Sequence, residues 1–229
     1  MKIDIRGLAD TRRAIGELAK QIPFATSKAI NTTAFAVRAA EQQELRAKLD
    51  RPTPWTISQV RVKQATKTSL MASIGSPSGV KGIPGVFDRV IAPHVRGGAR
   101  MPKPVEEQMV RKGWIRAGWW RAIPTSSEQR DQYGNVSMGD WNRLLSLNNG
   151  KYFVIDVDAE SHLPPGIYRR YGGTQFGYTG KRVEQLVSFK LNPDYRPILD
   201  WSEVGIATVS ATFTTAFDAA LTDAISTAR

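Results

Sequence analysis

The sequence predicts an α+β protein, with two N-terminal helices and a long C-terminal helix packed on a small, mostly antiparallel sheet. Three observations predict it. Apolar residues recur at helical spacing before residue 51 and again after Trp201. Between Val60 and Ile74 they alternate instead. Gly- and Pro-rich turns separate the short apolar runs that remain. The organisation expected is one structural unit overall, with an N-terminal helical segment at 1–51 and an α+β body at 52–229. An irregular excursion interrupts that body at about 114–150.

Leu8, Ile15, Leu18, Ala19 and Ile22 form one apolar stripe, so a first helix is expected to run to Pro23. Pro23 suits the first turn of a second helix over about 24–50, because a first-turn N–H has no helical acceptor to lose. Ile30, Ala34, Val37, Ala40, Leu45 and Leu49 line one side of it, and its many alanines let a partner helix approach closely. Arg51-Pro52-Thr53-Pro54 ends it, since a residue before proline is pushed out of the helical region. Val60 and Val62, then Leu70, Ala72 and Ile74, read as two antiparallel strands joined near 64–68. Ser76–Gly85 is a loop, succeeded by a short apolar segment at Val86–Ala92. Pro102–Lys112 is a short helix with Gly113 just past its end. Trp114–Met138 shows no sustained period, and Asp140–Leu147 has room for one or two helical turns. Tyr152–Val157 and Leu186–Leu191 read as strands, with Ile167–Tyr171 between them. The last helix, Trp201–Ala228, repeats Val209, Phe213, Phe217, Leu221 and Ile225 every four residues. Its Thr-rich remaining face suits packing on more than one side.

Composition narrows the chemistry. The chain of 229 residues has 32 Lys+Arg against 21 Asp+Glu, a net charge of +11. That excess favours contact with nucleic acid, an anionic surface or an acidic partner. With no cysteine there is no disulfide framework, thiol nucleophile or Cys-ligated metal. The two histidines, His94 and His162, stand in loops far apart, so hydrolase and metalloenzyme chemistry is not expected. No cofactor, metal or catalytic set is expected either. Gly79–Gly85 has glycines and Lys81, but not the order of a phosphate-binding loop. Asp156, Asp158 and Glu160 alternate past a strand, as solvated charges do. Glu106, Glu107 and Glu160 are the carboxylates whose single replacement would test a hydrolase reading, and no activity is expected to be lost. No continuous apolar run approaches the ~20 residues of a membrane span, so no membrane contact is expected. The polar start of the chain is unlike a signal peptide.

One stretch stands out. Trp114, Trp119 and Trp120 interleave with Arg111, Lys112, Arg116 and Arg121. Trp and Arg together are enriched at protein–protein hot spots. The same pair of side chains stacks on bases and tracks phosphates in single-stranded nucleic-acid sites. A third reading places the indoles in the protein's own core. These seven residues are the candidate partner interface.

Ala25–Ala34 (ATSKAINTTA), then Gly82–Phe87 (GIPGVF), then Thr214-Thr215-Ala216-Phe217 in the last helix resemble the minor tail protein Z family of lambdoid bacteriophages. Asp131–Gly139 (DQYGNVSMG), Leu163–Tyr168 (LPPGIY) and Ala219–Arg229 are similar to a broader set of siphophage and Mu-like prophage tail proteins, a resemblance that runs from about Thr53 to Arg229. The lambdoid protein is shorter and lacks the segment around 114–150. The resemblance implies a structural virion protein at the head-proximal end, or neck, of a long non-contractile tail. It would assemble as a ring of copies of itself, complete the tail and join it to the head. Its partners would be the tail terminator, tail tube, tape-measure end or head connector proteins, with genome DNA close by. It would sit in the virion after assembly in the host cytoplasm. The alternative is a basic DNA-binding protein that contacts the genome at the portal or neck.

Overall fold

The structure, a computed structural model, describes residues 8–75, 85, 87–118, 120–125, 130–146, 151–171, 182–191 and 194–227. It is α+β, with a long helix near each end of the chain and small antiparallel sheets between them. The chain forms two compact units. One holds Met1–Leu49, Pro54–Phe87 and Ile198–Arg229; the other holds Asp50–Thr53 and Asp88–Pro197. The chain thus crosses between them on either side of residue 51 and again after residues 87 and 197.

The first unit is a pair of long antiparallel helices with a small hairpin. α1 spans Leu8–Lys48 and α6 spans Trp201–Thr227. Two N-terminal helices were expected; α1 is instead continuous through Pro23. Proline inside a helix leaves the carbonyl four residues back without its donor. Here that carbonyl belongs to Ala19, in an exposed turn open to water. Beyond Pro23, packing holds the helix: Ala25 and Ala29 are fully buried against Ala220 and Ala224, with Phe24, Phe213 and Phe217 around them. The antiparallel sense shows in Lys28 paired with Asp223 at 2.5 Å near one end and Lys48 with Asp200 at 3.7 Å at the other. α6 packs one face on α1 and leaves the opposite face exposed, so packing on several sides is not reached within this unit.

α1 also anchors the segment C-terminal to it. Asn31 Nδ2 donates to the Ala65 carbonyl at 3.0 Å while its Oδ1 accepts from the Ala65 N–H at 2.7 Å. Arg38 Nε donates to Val60 O at 3.0 Å, and Gln42 Nε2 to Ile57 O at 3.1 Å. These bonds fix α2 (Pro54–Ser58) and the antiparallel pair β1 (Arg61–Lys63) and β2 (Ser73–Gly75) expected from the alternation. The expected loop 76–84 lies outside the described residues.

The second unit begins with a π-helical turn, Phe87–Ile91, that runs into α3 (Ala92–Arg96), where a short apolar segment was expected. β3 (Gly98–Ala99) pairs with β8 (Asp194–Tyr195). α4 is Pro104–Arg111 and α5 is Met138–Ser146. The main sheet is fully antiparallel in the order β4-β7-β6-β5, from β4 (Trp120–Pro124), β5 (Tyr152–Ile155), β6 (Gly166–Tyr171) and β7 (Arg182–Leu191). The irregular excursion expected at 114–150 is therefore partly regular, holding an edge strand and a helix. Its tight turn is built on Asp131, whose Oδ1 accepts the N–H groups of Tyr133 at 2.9 Å and Asn135 at 2.8 Å. Ser137 then caps α5, accepting the Asp140 N–H at 3.0 Å.

Val105 and Met109 of α4, Trp141, Leu144 and Leu145 of α5, and Ile167, Leu186, Val187 and Phe189 of the sheet form one apolar core. Gly166 sits where β6 enters it, and a Cβ there would collide with the Val187 carbonyl oxygen. Two residues on, the Tyr168 hydroxyl donates to Pro164 O at 2.6 Å, closing the Pro-Pro-Gly corner. Gly166→Ala must move β6 off β7, and the expected loss is about 2 kcal/mol, at the level of other overpacked cores. Urea unfolding monitored by tryptophan fluorescence measures it.

Candidate functional site

α4 ends in a sharp turn. The Lys112 N–H donates to Gln108 O at 3.1 Å, the Gly113 N–H to Val110 O at 2.9 Å and the Trp114 N–H to Met109 O at 3.0 Å. The chain then passes Ile115, buried in the core, and reaches β4 at Trp120. Six of the seven predicted interface residues are described; Trp119 lies outside the described residues.

A pocket of about 360 Å³ opens between α4, the 115–118 turn and the start of β4. Arg111, Arg116, Trp120 and Arg121 line it, with Val110 and Ile115 as its apolar part. Lys112 and Trp114 stand outside it as a pair, the ammonium 5.4 Å from the indole centroid. Trp114 and Trp120 are half-buried against the core of the second unit, so each indole has one side packed within the chain. Of the three roles considered for these rings, packing in the protein's own core is the one these contacts show, on one side of each indole.

The cations differ from one another. Arg111 is exposed. Arg116 is exposed as well but grips Asp158 with two guanidinium nitrogens. Arg121, expected at the surface, is only 3% exposed. Its guanidinium donates to Arg100 O at 2.6 Å, Trp120 O at 2.9 Å and Gly118 O at 3.3 Å, while Nε has no partner. Burial without a carboxylate partner lowers its affinity for the proton relative to a solvated arginine.

Beneath the pocket lies a buried ion pair that composition did not reveal. Glu106 is 1% exposed. Oε1 accepts from Arg100 Nη2 at 2.5 Å and from the Ala122 N–H at 3.0 Å; Oε2 accepts from Arg100 Nη1 at 2.9 Å and from the Lys103 N–H at 2.7 Å. One carboxylate thus joins the start of α4, the segment before it and β4. The signal in the sequence is a Glu three positions after the N-cap of a Pro-initiated helix, half of a capping box.

The remaining polar groups do not converge. Asp156 accepts the Asp158 N–H at 2.9 Å, Asp158 holds Arg116, and Glu160 is exposed. His94 packs edge-on against Tyr195 at 5.2 Å, and burial lowers its pKa. His162 is exposed. Among the described residues no three His, Asp or Glu side chains are grouped to hold a metal. The geometry provides a hollow with one aromatic wall, lined by Arg111, Arg116 and Arg121 together with Glu106 and Glu107.

The fold is that of an α+β protein of two compact units, with this hollow in the second. In comparisons with known proteins, no family model, curated protein or solved structure matches the chain.

Proposed function

We propose that this protein is a structural virion component that completes the head-proximal end of a long non-contractile phage tail and joins it to the head. It acts by ring assembly and protein–protein contact. One observation carries the reading: two of the three stretches that resemble the lambdoid tail protein, Ala25–Ala34 and Thr214–Phe217, lie at opposite ends of the chain yet belong to a single helix pair, while most of the third, Gly82–Phe87, lies outside the described residues. Within it Ala25 and Ala29 pack with Phe213, Ala216 and Phe217, and Asn31 holds Ala65. Stretches that resemble punctuation in the sequence are here the residues that lock a unit together. The Asp131–Gly139 and Leu163–Tyr168 stretches behave alike, as a turn with a helix cap and as a strand corner.

In this reading the pocket edged by Arg111 and Trp120 takes an anchor from a neighbouring tail protein, as pockets at the centre of interfaces do. A mutant phage lacking the gene is expected to yield tails that fail to join filled heads, and purified wild-type virions to contain the 25.3 kDa chain. Normal infectivity without the gene, or absence of the chain from mature particles, rejects the proposal.

The net charge of +11 favours a second reading, binding of genome DNA at the neck. Binding of that kind weakens steeply with salt. Two of the pocket's cations are already engaged within the chain, Arg116 by Asp158 and Arg121 by carbonyls. The DNA reading therefore leans on Arg111 and on Lys112, and Arg111→Ala with Lys112→Ala must then weaken DNA binding at low salt.

A further inference from the structure

We propose that the outer face of the N-terminal half of α6, with the groove beside it, is where a second copy of this chain docks. The occupant presents a basic face, in a head-to-tail contact. This deepens the ring assembly proposed above and rests on that reading.

α6 is the more apolar of the two long helices. An 18-residue stretch of it has a mean hydropathy of 1.3, with only 6% of that stretch buried. By length and composition it is long and apolar enough to cross a membrane, although Thr and Ser interrupt it so that no continuous apolar run forms. Its exposed residues include Ile206, at 67% exposure, and Val209. Next to them an open groove of about 310 Å³ has Ala34 and Val37 of α1 on one side, Leu70 and Met71 on another, and Val209 and Phe213 of α6 on the third. No charged side chain lines it, and Met71 is 73% exposed. Apolar surface arranged this way, knob beside hollow, marks an interaction site.

Charge selects the occupant. None of the 32 Lys and Arg lies within Trp201–Thr227, which carries Glu203, Asp218 and Asp223 instead. Asp223 is matched by Lys28 of the same chain. Two molecules that each carry +11 repel, except where one offers a face without cations to a basic face of the other. α6 itself offers DNA or anionic lipid no cation to hold them. Basic faces exist on the same chain: Arg61, Lys63 and Lys67 are all exposed. Because the two faces differ, the contact is heterologous, and a heterologous contact with the right rotation closes into a ring.

Sedimentation velocity on the purified full chain tests this. Wild type is expected to sediment as an oligomer. Ile206→Lys is expected to weaken association at least tenfold and Ile206→Glu less, because only the lysine opposes a basic neighbour. Unchanged circular dichroism shows that the variants are folded, and Val209→Ala, also at an exposed position, provides a milder variant with the smallest effect. A wild type that stays monomeric, a lysine variant that assembles normally, or equal loss from lysine and glutamate overturns the proposal. So does a monomer that cosediments with phosphatidylcholine vesicles through Ile206, since lipid is then the occupant. The outcome is separable from the tail reading: a chain that self-associates but is missing from virions retires the tail and leaves this contact standing, and a monomer found in virions does the reverse.

Discussion

Glu106→Ala is expected to cost the second unit about 3–5 kcal/mol of stability, the range seen when one partner of a buried ion pair is removed. The loss has three parts. The Arg100 guanidinium, with its side chain 13% exposed, loses both bonds to the carboxylate and keeps the neutral partners, the Met101 carbonyl at 3.0 Å and Tyr195. The Ala122 N–H, at the centre of edge strand β4, loses its acceptor, as does the Lys103 N–H at the start of α4. An unsatisfied buried donor costs about 1–3 kcal/mol on its own. Arg121 adds to this, for it is a second buried cation near the same carboxylate and bonds only to carbonyls. Removing Glu106 leaves the Arg100 and Arg121 guanidinium charges, which repel each other, without that anion. Glu106→Gln keeps one acceptor and the shape, so a smaller loss of about 1–2 kcal/mol is expected. Urea midpoints at unchanged slope measure both. A joint change of Glu106 and Arg100 to leucine is expected to recover part of the loss, since two apolar groups replace a pair that each needs the other. An alanine variant as stable as wild type contradicts the assigned network.

The consequence reaches the pocket. Ala122 succeeds Trp120 and Arg121 on β4, so the bond from its N–H to Glu106 fixes the strand that carries the aromatic wall. Loss of partner binding in Glu106→Ala would then arise from position and not from contact, and Arg111→Ala, which leaves the network whole, separates the two.

How much of the molecule is legible in its sequence depends on where the information lies. α6, α4 and the β1–β2 pair are readable because local period and punctuation decide them: Phe213, Phe217 and Leu221 repeat, Pro104 starts a helix, and Val62 and Ile74 alternate with polar neighbours. α1 is misread at Pro23, because the proline rule states a cost and says nothing of the packing of Ala25 and Ala29 that offsets it. β4 is invisible for a different reason. Trp120-Arg121-Ala122-Ile123-Pro124 has no alternation, and the burial of Arg121 is made by carbonyls at Arg100, Gly118 and Trp120. Such partners have no residue-type signature. The candidate interface is likewise half legible. Composition finds Arg111, Arg116 and Trp120, which the pocket gathers, but places Arg121 with them as a surface cation. The carboxylate that organises the site, Glu106, draws its partners from Arg100 and Ala122, on either side of its own helix.

A second large effect concerns pH and the first unit. Glu41 of α1 is 1% exposed, and its Oε2 has no hydrogen-bond partner. Its Oε1 lies 3.6 Å from where a Cβ would stand on Gly205 of α6, so the carboxyl packs against that helix at ordinary van der Waals distance. Burial first, and the neighbouring Glu44 second, raise the Glu41 pKa from 4.5 to about 7. Glu44 itself has Lys48 at 3.9 Å, and Lys48 in turn faces Asp200 at 3.7 Å, so that cation is shared between two acids. Linkage sets the sign. In the unfolded chain this carboxyl ionises near its ordinary value; in the folded chain it holds its proton until about pH 7. Below the unfolded value both states are protonated and the group costs nothing for its charge. As pH rises from about 4.5 towards 7, folding must retain a proton that the unfolded chain releases, and stability falls. Above that window the loss is complete, at most about 3.5 kcal/mol at ~1.4 kcal/mol per pH unit. Glu41→Leu is therefore expected to abolish this slope and to leave the protein more stable than wild type at pH 8, with little difference at pH 4.5. Thermal or urea unfolding across that range measures it, with helical ellipticity reporting on α1 and α6. A wild type whose stability is flat from pH 4.5 to 8, or a leucine variant that keeps the slope, would show that this carboxyl is not what the helix pair has to keep protonated.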